Sequence, residues 1–185
     1  MRINLQELLP IQAEVDSFVI ERLGKEVSVD NLILAFQVEL FEYFNAIGTW
    51  KWWKHNHKID RERILDELAD CFAFYLAILN KTEEIANERD NRSIIDEYEN
   101  EIQENLNELI KQQMKSLEEP MELINNWILV IAASHETEYE IHTTQRFAIA
   151  IFIATQLFEE ITWEEITNAY KKKSKINIER QRGDY

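Results

Sequence analysis

One cysteine, two prolines and three glycines are all that this 185-residue chain contains of those types. A lone Cys71 excludes an intrachain disulfide. Its apolar neighbours make it a core thiol and fit an intracellular, cytoplasmic protein. So few turn formers argue against an all-β fold, which needs a tight turn after every short strand. Positive charge is also scarce: 20 Lys and Arg stand against 35 Asp and Glu, for a net charge of −15. Phosphate backbones and anionic lipids require a basic face, so a general nucleic-acid or membrane-surface binder is excluded. Long uncharged apolar runs are missing as well. The longest candidate, 147–158, falls short of the roughly 20 residues that span a bilayer and reads as a buried helix. Residues 1–10 carry no apolar signal core.

Apolar residues, at 45% of the chain, are sufficient for a real core. Glu, Lys, Leu, Ile and Gln dominate, which favours helix. The periodicity predicts an amphipathic helix over 3–23, kinked or restarted at Pro10 and stopped at Gly24. Asp30 is placed to cap a helix ending near Gly48, and Asp60 a second one ending near Asn80. Between them, Trp50-Lys51-Trp52-Trp53-Lys54-His55-Asn56-His57-Lys58 reads as a loop, with its histidines at the surface. Residues 83–119 hold 12 acids and four bases. Ile94, Tyr98, Ile102, Leu106 and Leu109 recur in that block at helical spacing, so it reads as an acidic helical insert. Further helices are expected over 120–133 and 143–160, with a polar loop from His135 to His142. A last helix opens at the Thr162/Glu165 capping box and reaches Ser174, followed by a basic tail over 175–185. The expectation is one all-α, bundle-like domain spanning 1–185, with six or seven helices.

Two acidic pairs break the amphipathic rule. Glu39 and Glu42 lie within Phe36-Gln37-Val38-Glu39-Leu40-Phe41-Glu42-Tyr43-Phe44. Glu67 and Asp70 lie within Leu65-Asp66-Glu67-Leu68-Ala69-Asp70-Cys71-Phe72. At i,i+3 spacing each pair shares a helix face, yet the surroundings are apolar almost all round. One such pair is ordinarily a solvated helix face. Two pairs on neighbouring apolar helices need a counter-charge, because like charges brought together disfavour ionisation. A hard divalent cation such as Mg²⁺ meets that need and would in turn hold a phosphate chain. A di-iron centre would pair Glu with Glu-x-x-His, and neither pair offers the histidine. Asp66 points about 100° away from the second pair and reads as a cap or surface acid.

The order Glu39-x-x-Glu42, Trp50-Lys51-Trp52-Trp53-Lys54, Glu67-x-x-Asp70 resembles the dimeric all-α dUTP diphosphatases, within the wider all-α nucleoside triphosphate pyrophosphatases. The N-terminal Leu9-Pro10-Ile11-Gln12-Ala13-Glu14-Val15-Asp16 is similar to the family's early helix. Tyr170-Lys171-Lys172-Lys173-Ser174-Lys175-Ile176-Asn177-Ile178-Glu179-Arg180-Gln181 resembles its C-terminal segment. Forms encoded by bacteria and their phages are nearest in length, which would put a phage-encoded chain in the host cytoplasm. The sequence departs from the pattern at Lys173-Ser174, where many members have Lys-Asn, and at Asp16, where some have Asn. The middle of the chain matches only in being helical.

That resemblance implies Mg²⁺-dependent hydrolysis of dUTP, extending to dUDP, by water attack on the α-phosphorus, and a homodimer. It makes Glu39, Glu42, Glu67 and Asp70 catalytic metal ligands, with Glu39 also orienting the attacking water. Gln12 would read the uracil edge, since an amide offers a donor and an acceptor; the bland alternative is a solvated helix glutamine. Trp53 would wall the base pocket or anchor the loop to the core. Lys54, Lys173, Asn177 and Arg180 would reach phosphate and sugar, while the basic run is also an ordinary helix-end feature. Two other classes stay open on the residues alone: a pyrophosphatase for another nucleotide, and a non-enzymatic helical interaction protein that uses the acidic block.

Overall fold

The computed structural model describes residues 2–48, 51–53, 60–90, 93, 95–113 and 160–183. A turn closed by the Leu5 carbonyl, which accepts from the Leu8 and Leu9 N–H groups at 2.9 Å each, leads into helix α1, Leu9–Leu23. Pro10 sits in the first turn of α1 and therefore starts the helix rather than kinking it; the N–H it lacks has no intrahelical partner there. Gly24 closes α1 at φ 64°, a left-handed conformation suited to glycine. Helix α2 spans Val29–Ile47. Its N-cap is Ser28, whose Oγ accepts from the Asn31 N–H at 3.2 Å. Asp30, the expected cap, lies instead in the first turn, where its charge complements the helix dipole. Gly48 ends α2 at φ 68°, as expected.

Helix α3 runs through Arg61–Asp90, ten residues beyond the expected end near Asn80. Asp60 caps it as predicted, accepting from the Arg63 N–H at 3.1 Å. No glycine or proline interrupts 80–90, and the Lys81–Glu84 pair at 2.7 Å bridges the turn at which a stop was expected. The acidic block is thus divided between the end of α3 and helix α4, Ile95–Gln113. The last helix, α5, occupies Trp163–Arg182 and continues eight residues past Ser174. The segment expected as a tail is mostly helix, because Lys175-Ile176-Asn177-Ile178-Glu179-Arg180 contains no breaker.

The described residues form an all-α structure with five helices and no strand. The expected helices over 120–133 and 143–160, and the loop over 135–142, lie outside the described residues. The chain divides into two compact units. One joins 1–4 to 94–163; the other joins 5–93 to 164–185. In the first, α4 buries Tyr98, Ile102 and Leu106 at i, i+4 and i+8, and the Ile3 N–H donates to Gln103 Oε1 at 3.0 Å. In the second, α1 and α2 both pack on α3. Ile33, Phe36, Leu40 and Tyr43 of α2 are buried, as are Ile64, Leu68, Phe72, Leu76 and Leu79 of α3. Each such side chain contributes about 1.5–3 kcal/mol on burial. Tyr170 of α5 is fully buried and sets its ring edge-to-face on Phe72, with centroids 5.6 Å apart. No helix among the described residues is long and apolar enough to cross a membrane.

Candidate active site

Packing α2 against α3 brings Glu39 of the first acidic pair to Glu67 and Asp70 of the second. Glu39, Glu67 and Asp70 each offer a carboxylate oxygen, and these oxygens lie within 4.8 Å of one another. All three residues are partly buried. Burial first, then Asp70, Glu42 and Glu67, push the Glu39 carboxyl up to about 7, with Lys173 pulling the other way. Glu42 is exposed and stands outside this group of three, although its charge is felt at Glu39. Asp70 is also raised: burial outweighs its hydrogen bond from Lys173. The cluster is therefore a set of hard oxygen donors short of positive charge.

Two cations come from α5. Lys173 Nζ lies 2.8 Å from Asp70 and 2.7 Å from Asp66, and its side chain is only 14% exposed. Burial lowers its proton affinity, but the two aspartates more than offset that, so Lys173 stays charged. Asp66, expected to be a cap or bystander, is thus the second anchor of Lys173. Arg180 is exposed, and its charge is felt at Asp70. Glu67 is itself braced by Arg63, four residues earlier, at 3.4 Å.

Beside the cluster lies a cavity of about 850 Å³, large enough for a nucleotide-sized ligand. Its lining follows helical periodicity. From α5 come Ser174, Asn177 and Gln181; from α3 come Asp70, Ala73, Phe74, Ala77 and Asn80; from α1 come Gln12, Asp16, Val19 and Ile20. Ala73 and Ala77 leave the room that larger side chains on that face of α3 would fill. Asp70 belongs to both the cavity wall and the acidic cluster. Gln12 is 4% exposed. Its Nε2 donates to Asp16 Oδ1 at 2.7 Å, and its Oε1 accepts from the Tyr170 hydroxyl at 3.1 Å. The solvated alternative for Gln12 is excluded by this burial.

A family model described as dUTPase matches residues 4–185. The chain belongs to the dUTPase family. That is the all-α dUTPase family, and membership carries dUTP diphosphatase activity with dUTP as substrate. A search of the curated proteins found no match.

Of the residues singled out in this dUTPase from sequence, Glu39, Glu67, Asp70 and Lys173 converge on one locus, while Gln12 and Asn177 line the adjoining cavity. Trp53 does not line it. It is half exposed and meets Trp52 edge-to-face, with centroids 5.9 Å apart. Lys54, His55 and His57 lie outside the described residues. Sequence reasoning overlooked Phe74, the aromatic face of the cavity, although it follows Asp70 by four residues and so shares its side of α3. Asp16 stands in the same relation to Gln12. The role of Tyr170 depends on how α5 packs against α1, which no local spacing reveals.

Proposed function

We propose that this dUTPase is Mg²⁺-dependent and cleaves dUTP between the α- and β-phosphates, giving dUMP and pyrophosphate. On this reading dUDP, cut at the same bond to dUMP and phosphate, is a second substrate. The observation that carries the reading is Asp70, shared by the three-carboxylate cluster and the cavity wall. A donor set of carboxylate oxygens, one of them pushed up to about 7 by burial and its acidic neighbours, suits a hard divalent cation. Glu39, Glu67 and Asp70 would hold it, with Glu42 one turn along α2. Bound Mg²⁺ supplies positive charge against the phosphate oxygens and acidifies water.

The remaining roles belong to the chain itself. Glu39 orients the attacking water and accepts its proton. Lys173 turns from Asp70 to a phosphate oxygen while Asp66 keeps its ammonium in place. Arg180 adds a second cation for the leaving pyrophosphate. Asn177 contacts the sugar, Gln12 reads the uracil edge, and Phe74 offers the base an aromatic face. A homodimer completes the reading, supported by the exposed Leu34, Val38 and Phe41 on one face of α2.

The test is release of pyrophosphate from each deoxynucleoside triphosphate, with Mg²⁺ and with a chelator in its place. Release from dUTP that requires the metal is the expected outcome. Equal rates in chelator would remove the metal, and preference for another base would remove uracil.

A further inference from the structure

Gln12 is held at both ends of its amide, and the two holders are not equivalent. Asp16 lies 2.7 Å from Nε2, and a carboxylate only accepts, so the NH₂ end must face it. With its pKa near 6, Asp16 is ionised at neutral pH. Tyr170 donates its hydroxyl to Oε1 at 3.1 Å. Burial pushes the Tyr170 hydroxyl far above its ordinary range, so it keeps its proton and its role as donor. A half-turn of the amide would bring Oε1 against the Asp16 carboxylate, oxygen to oxygen. Gln12 is 4% exposed and Tyr170 0%, so water cannot relieve that contact cheaply. The amide is therefore locked in one of its two orientations.

The lock has a chemical meaning because each end of the amide still has one bond to give. Nε2 retains a second N–H, and Oε1 a second lone pair. Uracil presents an acceptor oxygen next to an N–H donor along its pairing edge. Cytosine presents the reverse, an NH₂ donor next to an acceptor nitrogen. Uracil's second oxygen makes its edge acceptor–donor–acceptor, which an amide meets in either orientation, whereas cytosine's edge is met in only one. A glutamine free to flip therefore serves both bases, and one locked the other way round serves uracil alone. We propose that Asp16 and Tyr170 are positioning residues that fix the Gln12 amide and thereby set the preference for uracil over cytosine nucleotides. This inference rests on the reading of Gln12 as the residue that meets the base.

The experiment compares kcat/KM for dUTP and dCTP, with Mg²⁺, in the unaltered protein and in Gln12→Ala, Tyr170→Phe and Asp16→Asn. Tyr170→Phe removes one hydroxyl and keeps the ring on Phe72. Asp16→Asn can either accept or donate toward Gln12. The expected result is a dUTP preference in the unaltered protein that falls about tenfold or more in each variant. In the two positioning variants the fall comes mainly through KM for dUTP and a gain on dCTP, and the Mg²⁺ concentration at half-maximal rate stays put. An unaltered protein without a dUTP preference, or Gln12→Ala with the full preference, overturns the base-reading role and this proposal together. If Gln12→Ala loses the preference while Tyr170→Phe and Asp16→Asn retain it, the positioning proposal alone falls. Should one positioning variant not fold, the other decides by the same ratio.

Discussion

Asp16 carries a charge that its surroundings disfavour. Burial pushes its carboxyl from 3.8 to about 6, against the opposing hydrogen bond from Gln12. Between about pH 4 and pH 6 the folded state holds a proton that the unfolded chain has released. Stability therefore falls as pH rises through that window, and the full cost is present at pH 7. Asp16→Asn keeps an acceptor for Gln12 and removes the charge. It should raise stability at pH 7.5 by about 1–2 kcal/mol, allowing for partial exposure, and change little at pH 4. Urea unfolding at the two pH values measures this; a variant no more stable than its parent at pH 7.5 would contradict the burial argument. Glu39 follows the same sign between about 4.5 and 7. In chelator, Glu39→Gln should melt at a higher temperature than the unaltered protein at pH 8, because one of several repelling acids is gone. Its turnover of dUTP should nevertheless fall by about a thousandfold, within the range for loss of a general base. Variant and parent of equal activity would take Glu39 out of the reaction. The two substitutions make one point: the charges that cost stability here are those the proposed chemistry uses.

At the scale of elements, α5 decides most. It supplies Tyr170 to the core, Lys173 to the acidic cluster, and Ser174, Asn177 and Gln181 to the cavity. Its final turns are tied down by Arg22 to Gln181 at 3.2 Å, by Arg182 to Glu14 at 3.7 Å, and by the Arg182 guanidinium 5.1 Å from the Phe18 ring centroid. Ending the chain after Ser174 therefore removes structure and not an idle tail. The shortened protein should melt several degrees lower and lose dUTP turnover by at least a hundredfold, read by calorimetry and pyrophosphate release. An unchanged melting temperature would return 175–185 to the status of a tail. These elements mark what could be read from the chain alone. The i,i+3 acidic pairs, Gly24, Gly48 and Asp60 were legible because each signal is local, an apolar context or a terminal conformation. The lengths of α3 and α5 were not, since an acidic or basic composition shift resembles a boundary although the backbone meets no breaker there. Asp66 was set aside for pointing away from its neighbours on α3, yet Lys173, 107 residues further on, comes to meet it. Tyr170 gains its role in the same way, from packing between helices distant in sequence, whereas Asp16 holds Gln12 from one turn along the same helix.

For the whole molecule the dominant fact is a net charge of −15. Such a chain repels its own copies and repels a triphosphate. For the substrate, Lys173 and Arg180 provide the local exception. For a second copy, the exception is one face of α2. Its exposed residues Asn31, Leu34, Val38, Phe41 and Asn45 recur at three- and four-residue steps and carry no charge. Leu34 is 59%, Val38 49% and Phe41 58% exposed, the spacing of a helix-packing seam without a described partner. If the proposed homodimer forms here, helices pairing antiparallel about a two-fold axis between residues 37 and 38 set Leu34 of each copy against Phe41 of the other, a self-complementary match. Two copies then meet where neither presents like charge at the centre, and salt strengthens the pairing by screening the acids around it. Phe41→Glu places one carboxylate from each copy in that seam. Light scattering should give twice the chain mass for the unaltered protein and a single chain mass for the variant, with far-ultraviolet circular dichroism unchanged because Phe41 is exposed within its own chain. A variant that remains dimeric would move the interface off α2, and an unaltered protein of single mass at micromolar concentration would remove the dimer altogether.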